Sequence, residues 1–157
     1  MSCDVALAAF IMLASTGSGP AQPLAAAAAP VSVAGEPLFV DIVGRAGKLK
    51  DAVESYRKGA GLIGSPTPIT LSNFDGFKAK VSELAALDEK GHVELAARGT
   101  ADDLKCILHG ISQDLPVRVA ALESAKTGKE EDQALRDMSY LLNDNVEVIT
   151  APPKPAA

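Results

Sequence analysis

The stretch that decides the fold spans residues 102–115 and has the sequence DDLKCILHGISQDL. At about 100° per residue, its aliphatic side chains fall within an arc of roughly 100° on a helix. An arc of this width is typical of a helix face that packs on a protein core. The stretch therefore predicts an amphipathic helix whose inner stripe consists of Leu104, Ile107, Leu108, Ile111 and Leu115.

The opposite side of the same predicted helix carries polar and reactive side chains. They are Asp102, Cys106, His109 and Gln113, at a 4-3-4 spacing, and we call them the mixed face. Residues three or four positions apart are neighbours on a helix surface, so the Cys106 thiol and the His109 imidazole can touch. The mixed face is the predicted site for a partner.

A first helix is predicted before this stretch, because apolar residues recur from Phe39 to Tyr56 at a 3-4-3-4-3 spacing. Pro37 suits its first turn, and the basic Lys58 followed by Gly59 suits its end. A second helix is predicted after a capping Ser72.

The second predicted helix has Phe74, Phe77, Val81, Leu84 and Leu87 on its buried side and is interrupted at residues 91–92, a Gly-His pair.

The third predicted helix opens at Thr100 and continues toward Val119 and Leu122, which stay on the inner stripe. Pro116 removes a helical hydrogen bond and disfavours the helical conformation of the residue before it. We therefore expect this helix to be kinked or broken near Pro116, with both halves lining one core.

The fourth predicted helix follows three acidic residues at positions 130–132, which suit the positive end of the helix dipole. We expect the Asn-Asp-Asn cluster at 143–145 to stop it and residues 146–150 to be extended. The predicted fold is an all-α four-helix bundle, mostly antiparallel.

The two ends of the chain have compositions that differ from the bundle. An apolar run of about ten residues, followed by Ala-rich sequence, resembles a secretory signal peptide, so we predict a signal-like leader at 1–29 and a flexible linker at 30–36. The bundle domain is predicted at 37–150 and a disordered tail at 151–157. A signal peptide normally begins with basic residues, whereas the residues before this run include Asp4 and no Lys or Arg. The alternative is therefore a disordered, Ala-rich leader on a cytosolic protein.

Composition limits the function classes. A chain of 157 residues with a net charge of −5 has room for one ordinary domain and lacks the basic patch of a nucleic-acid-binding protein. The leader run is too short to span a bilayer, so we do not expect a transmembrane protein. No nucleophile motif of a hydrolase occurs, and we predict no enzyme activity.

Cysteine and histidine carry the candidate chemistry. If the leader is cleaved, Cys3 is lost and Cys106 remains in an oxidising compartment, which favours an intermolecular disulfide, a metal contact or simple burial. A thiolate beside an imidazole is also a metal ligand pair, so Cys106, His109 and His92 are the candidate metal ligands.

The sequence thus predicts a periplasmic or secreted helical interaction module without a cofactor, which meets a protein partner or a second copy of itself through the mixed face. One alternative is a bundle that binds a transition metal or a haem. The haem would be non-covalent, because the sequence has no Cys-x-x-Cys-His attachment motif. Another is an inhibitor or immunity protein of a cell-envelope enzyme.

Overall fold

The computed structural model describes residues 32–58, 62–99 and 103–151, and within them the fold is four long helices and no strand. The helices are α1 (Pro37–Lys58), α2 (Phe74–Ala97), α3 (Leu104–Ser124) and α4 (Gly128–Thr150), with a short 3-10 helix at Leu62–Gly64. The all-α four-helix prediction is confirmed. The antiparallel arrangement stays a prediction.

The helices enclose one core because each packs against two neighbours: α1 on α2 and α4, and α3 on α2 and α4. The predicted stripes supply this core. The largest fully buried side chains are Phe39, Ile42, Val53, Val81, Leu84, Leu95, Leu108, Leu115, Leu135, Met138, Leu142 and Ile149. Burial of each such side chain contributes about 1.5–3 kcal/mol.

Helix α2 is continuous where the sequence predicted an interruption at residues 91–92. Gly91 is buried, and a Cβ atom there would lie 3.1 Å from Leu108 Cδ1 and 3.4 Å from Phe39 Cε1. The prediction was wrong because this glycine permits close approach of α1 and α3, and the packing offsets its helix penalty of about 1 kcal/mol.

The starts of α2 and α3 also differ from the prediction. The cap of α2 is Asn73 and not Ser72, and Asn73 has a left-handed backbone (φ 52°) without a capping side-chain bond. Helix α3 begins at Leu104 after Asp103, so the predicted start at Thr100 is too early, although Thr100 itself lies outside the described residues.

The inner stripe of α3 faces the core, with Leu104 and Ile107 half-buried against it, and the helix runs without interruption through Pro116. Leu108, Ile111, Leu115 and Leu122 are buried, on both sides of the proline. The proline ring lies on the exposed side. A break is therefore wrong, and a kink stays a prediction.

Helix α4 starts as predicted and ends later than predicted. Thr127 caps it by accepting a hydrogen bond from the Glu130 backbone N–H at 3.2 Å. The helix continues through Asn145 to Thr150, so the extended end predicted at 146–150 is wrong. Asn145 is buried against α2 and Ile149 is in the core, and this burial outweighs the turn preference of the Asn-Asp-Asn cluster.

The segment before α1 contacts the bundle where the structure describes it. Val33 is buried, and Glu36 forms a two-pronged ion pair with Arg98 at 2.8 and 2.6 Å. The signal-like leader lies outside the described residues, as does the tail beyond position 151. None of the described helices combines the length and apolarity needed to cross a bilayer.

Candidate metal centre

The mixed face lies partly against α2. His109 and Gln113 are on α3 as predicted, and the Gln113 side-chain nitrogen is 2.8 Å from His109 Nε2. The imidazole of His109 is half-buried. Asp102 lies outside the described residues, so the structure places three of the four predicted residues.

Cys106 is half-buried on α3 and is not a free thiol. It does not belong to the group of metal-ligating side chains that the described residues bring together. The structure places His109 against Glu89 and His92 of α2 and beside Gln113 of its own helix.

Glu89 of α2 is the residue that sequence reasoning missed. Its Oε2 atom is 2.7 Å from His109 Nδ1 and 3.1 Å from Ser112 Oγ. These hydrogen bonds, His109 first, hold the pKa of the Glu89 carboxyl below its usual value, against the opposing effect of partial burial. The carboxylate is therefore charged at neutral pH.

His92 lies one helical turn after Glu89, on the same side of α2, and its Nδ1 atom is 2.6 Å from the backbone oxygen of Lys105. A carbonyl oxygen only accepts, so Nδ1 carries a proton, and Nε2 is the ring nitrogen that can hold a metal ion. A histidine whose Nδ1–H is held by a carbonyl has the usual arrangement of a metal ligand.

The two imidazoles lie close together, with ring centroids 4.7 Å apart and planes inclined by 35°. His109 Nδ1 donates to the Glu89 carboxylate, and the side-chain nitrogen of Gln113 faces His109 Nε2. Each ring thus has its Nδ1 atom engaged by a protein oxygen, Lys105 O for His92 and Glu89 Oε2 for His109.

One ligand atom each from Glu89, His92 and His109 lies within 4.8 Å of the other two. All three residues are half-buried, so an ion from solvent can reach them. Two imidazoles and one carboxylate are ligands that first-row transition metals prefer. The three-residue spacing of Glu89 and His92 was present in the sequence, but the interruption predicted at residues 91–92 separated them, and only the continuous α2 brings them to one side of a helix.

The geometry does not fit a haem held by both histidines. Two histidines that bind one haem iron lie on opposite faces of the porphyrin, so the porphyrin plane lies between their rings. The ring centroids of His92 and His109 are only 4.7 Å apart, which leaves no room for a porphyrin between them. The chemistry of this donor set suits a bare metal ion.

A second polar feature of α2 lies inside the core and not at the site. The carboxylate of Asp88 is fully buried and accepts a hydrogen bond from Asn145 Nδ2 at 2.7 Å. Burial raises the pKa of Asp88 to about 7, although the Asn145 hydrogen bond opposes the rise.

No family model, curated protein or solved structure matches the chain.

Proposed function

We propose that this protein is an exported, non-enzymatic binding module that holds a divalent transition-metal ion between α2 and α3. The ligands are the Glu89 carboxylate and one ring nitrogen each of His92 and His109. The observation that carries the proposal is the approach of these three ligand atoms to within 4.8 Å of one another.

The local charges support a cation at this position. Glu89 is ionised, since hydrogen bonds to its carboxylate lower its pKa. Both histidines are within reach of that charge, and the chain as a whole has a net charge of −5. An acidic protein raises the local concentration of cations.

The ligand types select the metal. Imidazole nitrogen favours zinc, nickel and copper ions, while magnesium and calcium ions prefer ligand sets made of oxygen. Among the three favoured ions, Cu²⁺ binds most tightly to a given set of nitrogen and oxygen ligands. Three half-buried protein ligands leave a coordination position toward solvent.

Calorimetric titration of the purified protein with ZnCl₂, NiCl₂, CuCl₂ and MgCl₂ tests the proposal. We expect one site, occupied by the first three ions and not by Mg²⁺, with Cu²⁺ the tightest. The variants His92→Asn and His109→Asn are the informative ones. The asparagine side-chain nitrogen takes the place of Nδ1 as the donor to Lys105 O or to Glu89, and the substitution removes the second ring nitrogen, Nε2.

Each histidine variant and Glu89→Gln should lose at least about tenfold in affinity, because each removes a direct ligand and the loss of an outer-shell partner alone costs about 10- to 100-fold. Glu83→Gln is the matched control, since Glu83 is also on α2 but pairs with Arg45 at the surface. Equal affinities in all four variants, or no binding of Zn²⁺, Ni²⁺ or Cu²⁺ to the wild-type protein, would refute the metal site.

Export is the second part of the proposal and is supported by the apolar run and Ala-rich sequence of residues 1–29. We expect the protein in the periplasmic or secreted fraction, with a mature N-terminus near residues 27–30 by mass spectrometry. An intact N-terminus in a cytosolic fraction would contradict export and leave the metal site unaffected.

The proposed role is binding without catalysis. It is supported by the position of the three ligands, which are half-buried on the outer side of the α2–α3 pair. A catalytic site more often lies in a deep apolar pocket. Binding of a protein partner through the mixed face stays a prediction, as does the inhibitor or immunity role, and neither gains support from the contacts of His109 or Gln113.

A further inference from the structure

A groove of about 390 Å³ lies between α1 and α2. Its floor is apolar and is formed by Leu49 and Ala52 of α1, Phe77 of α2 and the ring of Tyr56. The volume is within the range of small-molecule sites, which combine an apolar floor with a few polar groups.

The aromatic part of the floor is held in place. The Tyr56 ring meets the Phe77 ring edge to face, with centroids 5.7 Å apart, and its hydroxyl donates a hydrogen bond to the backbone oxygen of Ser72 at 2.7 Å. Because the ring is fixed before any ligand arrives, little side-chain entropy is lost when an apolar body packs on it.

The rim of the groove has an excess of positive charge. Arg45 is engaged with Asp41 at 2.9 Å on its own helix and with Glu83 at 2.8 Å across the groove. Lys48 on α1 and Lys80 on α2 also line the groove, and neither is in an ion pair with a described residue. Although the chain as a whole has a net charge of −5, these two ammonium groups attract anions to the groove.

Asn73 adds a polar group at one end of the groove. Its left-handed backbone places its side chain over Gly76, where a Cβ atom would lie 2.6 Å from Asn73 Oδ1. The carboxamide makes no capping hydrogen bond, so it is available to a ligand. Gly76 is the residue that makes this placement possible.

We propose that the groove binds a small amphipathic anion, with an aromatic or branched aliphatic body on the floor and a carboxylate between Lys48 and Lys80. The groove is formed by α1 and α2 and includes none of the three proposed metal ligands. This proposal is therefore independent of the metal site.

Titration of the ¹⁵N-labelled protein with 1-naphthoate, followed by NMR, tests the proposal. We expect saturable shifts of backbone signals in the α1–α2 walls, with a dissociation constant on the order of 0.1–1 mM for a ligand of this size. The uncharged analogue 1-naphthamide should bind about tenfold more weakly, because each exposed ion pair contributes a few-fold in affinity.

The double variant Lys48→Gln/Lys80→Gln should lose about tenfold in affinity for 1-naphthoate and none for 1-naphthamide. Lys126→Gln/Lys129→Gln is the matched control, since these lysines are exposed near the start of α4, and it should bind as the wild type does. Shifts outside the α1–α2 walls, equal binding of the two probes, or no saturation below about 10 mM would overturn the proposal.

Discussion

Asp88 and Asn145 form the only pair in which two fully buried polar side chains of the described residues meet across the core. Asn145 Nδ2 donates to Asp88 Oδ2, whereas Asp88 Oδ1 and Asn145 Oδ1 have no hydrogen-bond partner. Both orphaned atoms are acceptors while the carboxylate is ionised. A proton on Asp88 supplies a donor, and this agrees with the rise of its pKa to about 7.

This pair makes stability depend on pH. The carboxyl ionises near 3.8 in the unfolded chain and near 7 in the folded one, so between these values the folded state binds more protons. Stability therefore falls as the pH rises from about 4 to about 7, by up to about 4 kcal/mol, and is constant above that. Urea unfolding at pH 5 and pH 8 measures the part of this change that lies above pH 5, about 3 kcal/mol.

The variant Asp88→Asn should remove most of this dependence, because an amide replaces the protonated carboxyl as a neutral donor and acceptor. We expect it to be more stable than the wild type at both pH values, by a larger margin at pH 8 than at pH 5. Asp144→Asn is the control, since Asp144 is exposed on the same helix as Asn145. A wild-type stability that rises from pH 5 to pH 8 would contradict this assignment.

Residue-level reasoning from sequence found part of the candidate site. His92 and His109 were named because imidazole is a ligand wherever it lies, and the contact of His109 with Gln113 follows from their spacing of four. Glu89 was missed because surface glutamates are common on helices, and only the packing of α2 on α3 shows that this one meets His109.

At the level of elements, the short 3-10 helix docks on the start of α4. The Gly128 backbone N–H donates to Ser65 O at 3.2 Å, and a Cβ atom on Gly128 would lie 2.0 Å from Leu62 O. Because the atom in the way is a backbone oxygen, no side-chain rotation relieves the contact. A glycine is required here by tertiary packing.

We expect Gly128→Ala to destabilise the protein by about 2–3 kcal/mol, since overpacking of this kind forces backbone to move. Gly44→Ala is the matched control: Gly44 is exposed within α1 with nothing within 4 Å of its Cβ position. That change should stabilise by up to about 1 kcal/mol through helix propensity. Thermal unfolding of both variants provides the comparison, and equal effects would argue against the docking contact.

Local signals predicted some helix ends and missed others. Pro37 and Lys58 bound α1 as predicted, because a first-turn proline and basic last-turn residues act within one turn. The stops expected at Gly91 and at Asn145 did not occur, since both residues are buried in contacts with other helices. A local conformational preference of about 1 kcal/mol is smaller than the free energy of about 1.5–3 kcal/mol gained when one large apolar side chain is buried.

At the level of the whole molecule, the candidate metal site joins α2 to α3 through side chains twenty positions apart in the chain. An ion that binds only the folded arrangement stabilises it by mass action. The link crosses one of the four helix pairs that enclose the core, so occupancy of the site should affect global unfolding.

Zn²⁺ at about 100 times its dissociation constant should add about 2.7 kcal/mol, which corresponds to a rise in Tm of about 10 °C for a bundle of this size. The rise should be reversed by a chelator and should be reduced by about half or more in His109→Asn, whose affinity falls at least about tenfold. A Tm that increases equally in the wild type and in this variant would show that the ion acts elsewhere on the chain.

The sequence by itself determined the helical class, the inner stripes and the histidines, because periodicity and side-chain chemistry are properties of each segment alone. The tertiary structure decided that α2 and α4 continue through Gly91 and Asn145. It also placed Glu89 beside two histidines and Lys48 on the same groove as Lys80. Such meetings depend on which helix faces pack together, and that is set by contacts between segments far apart in the chain.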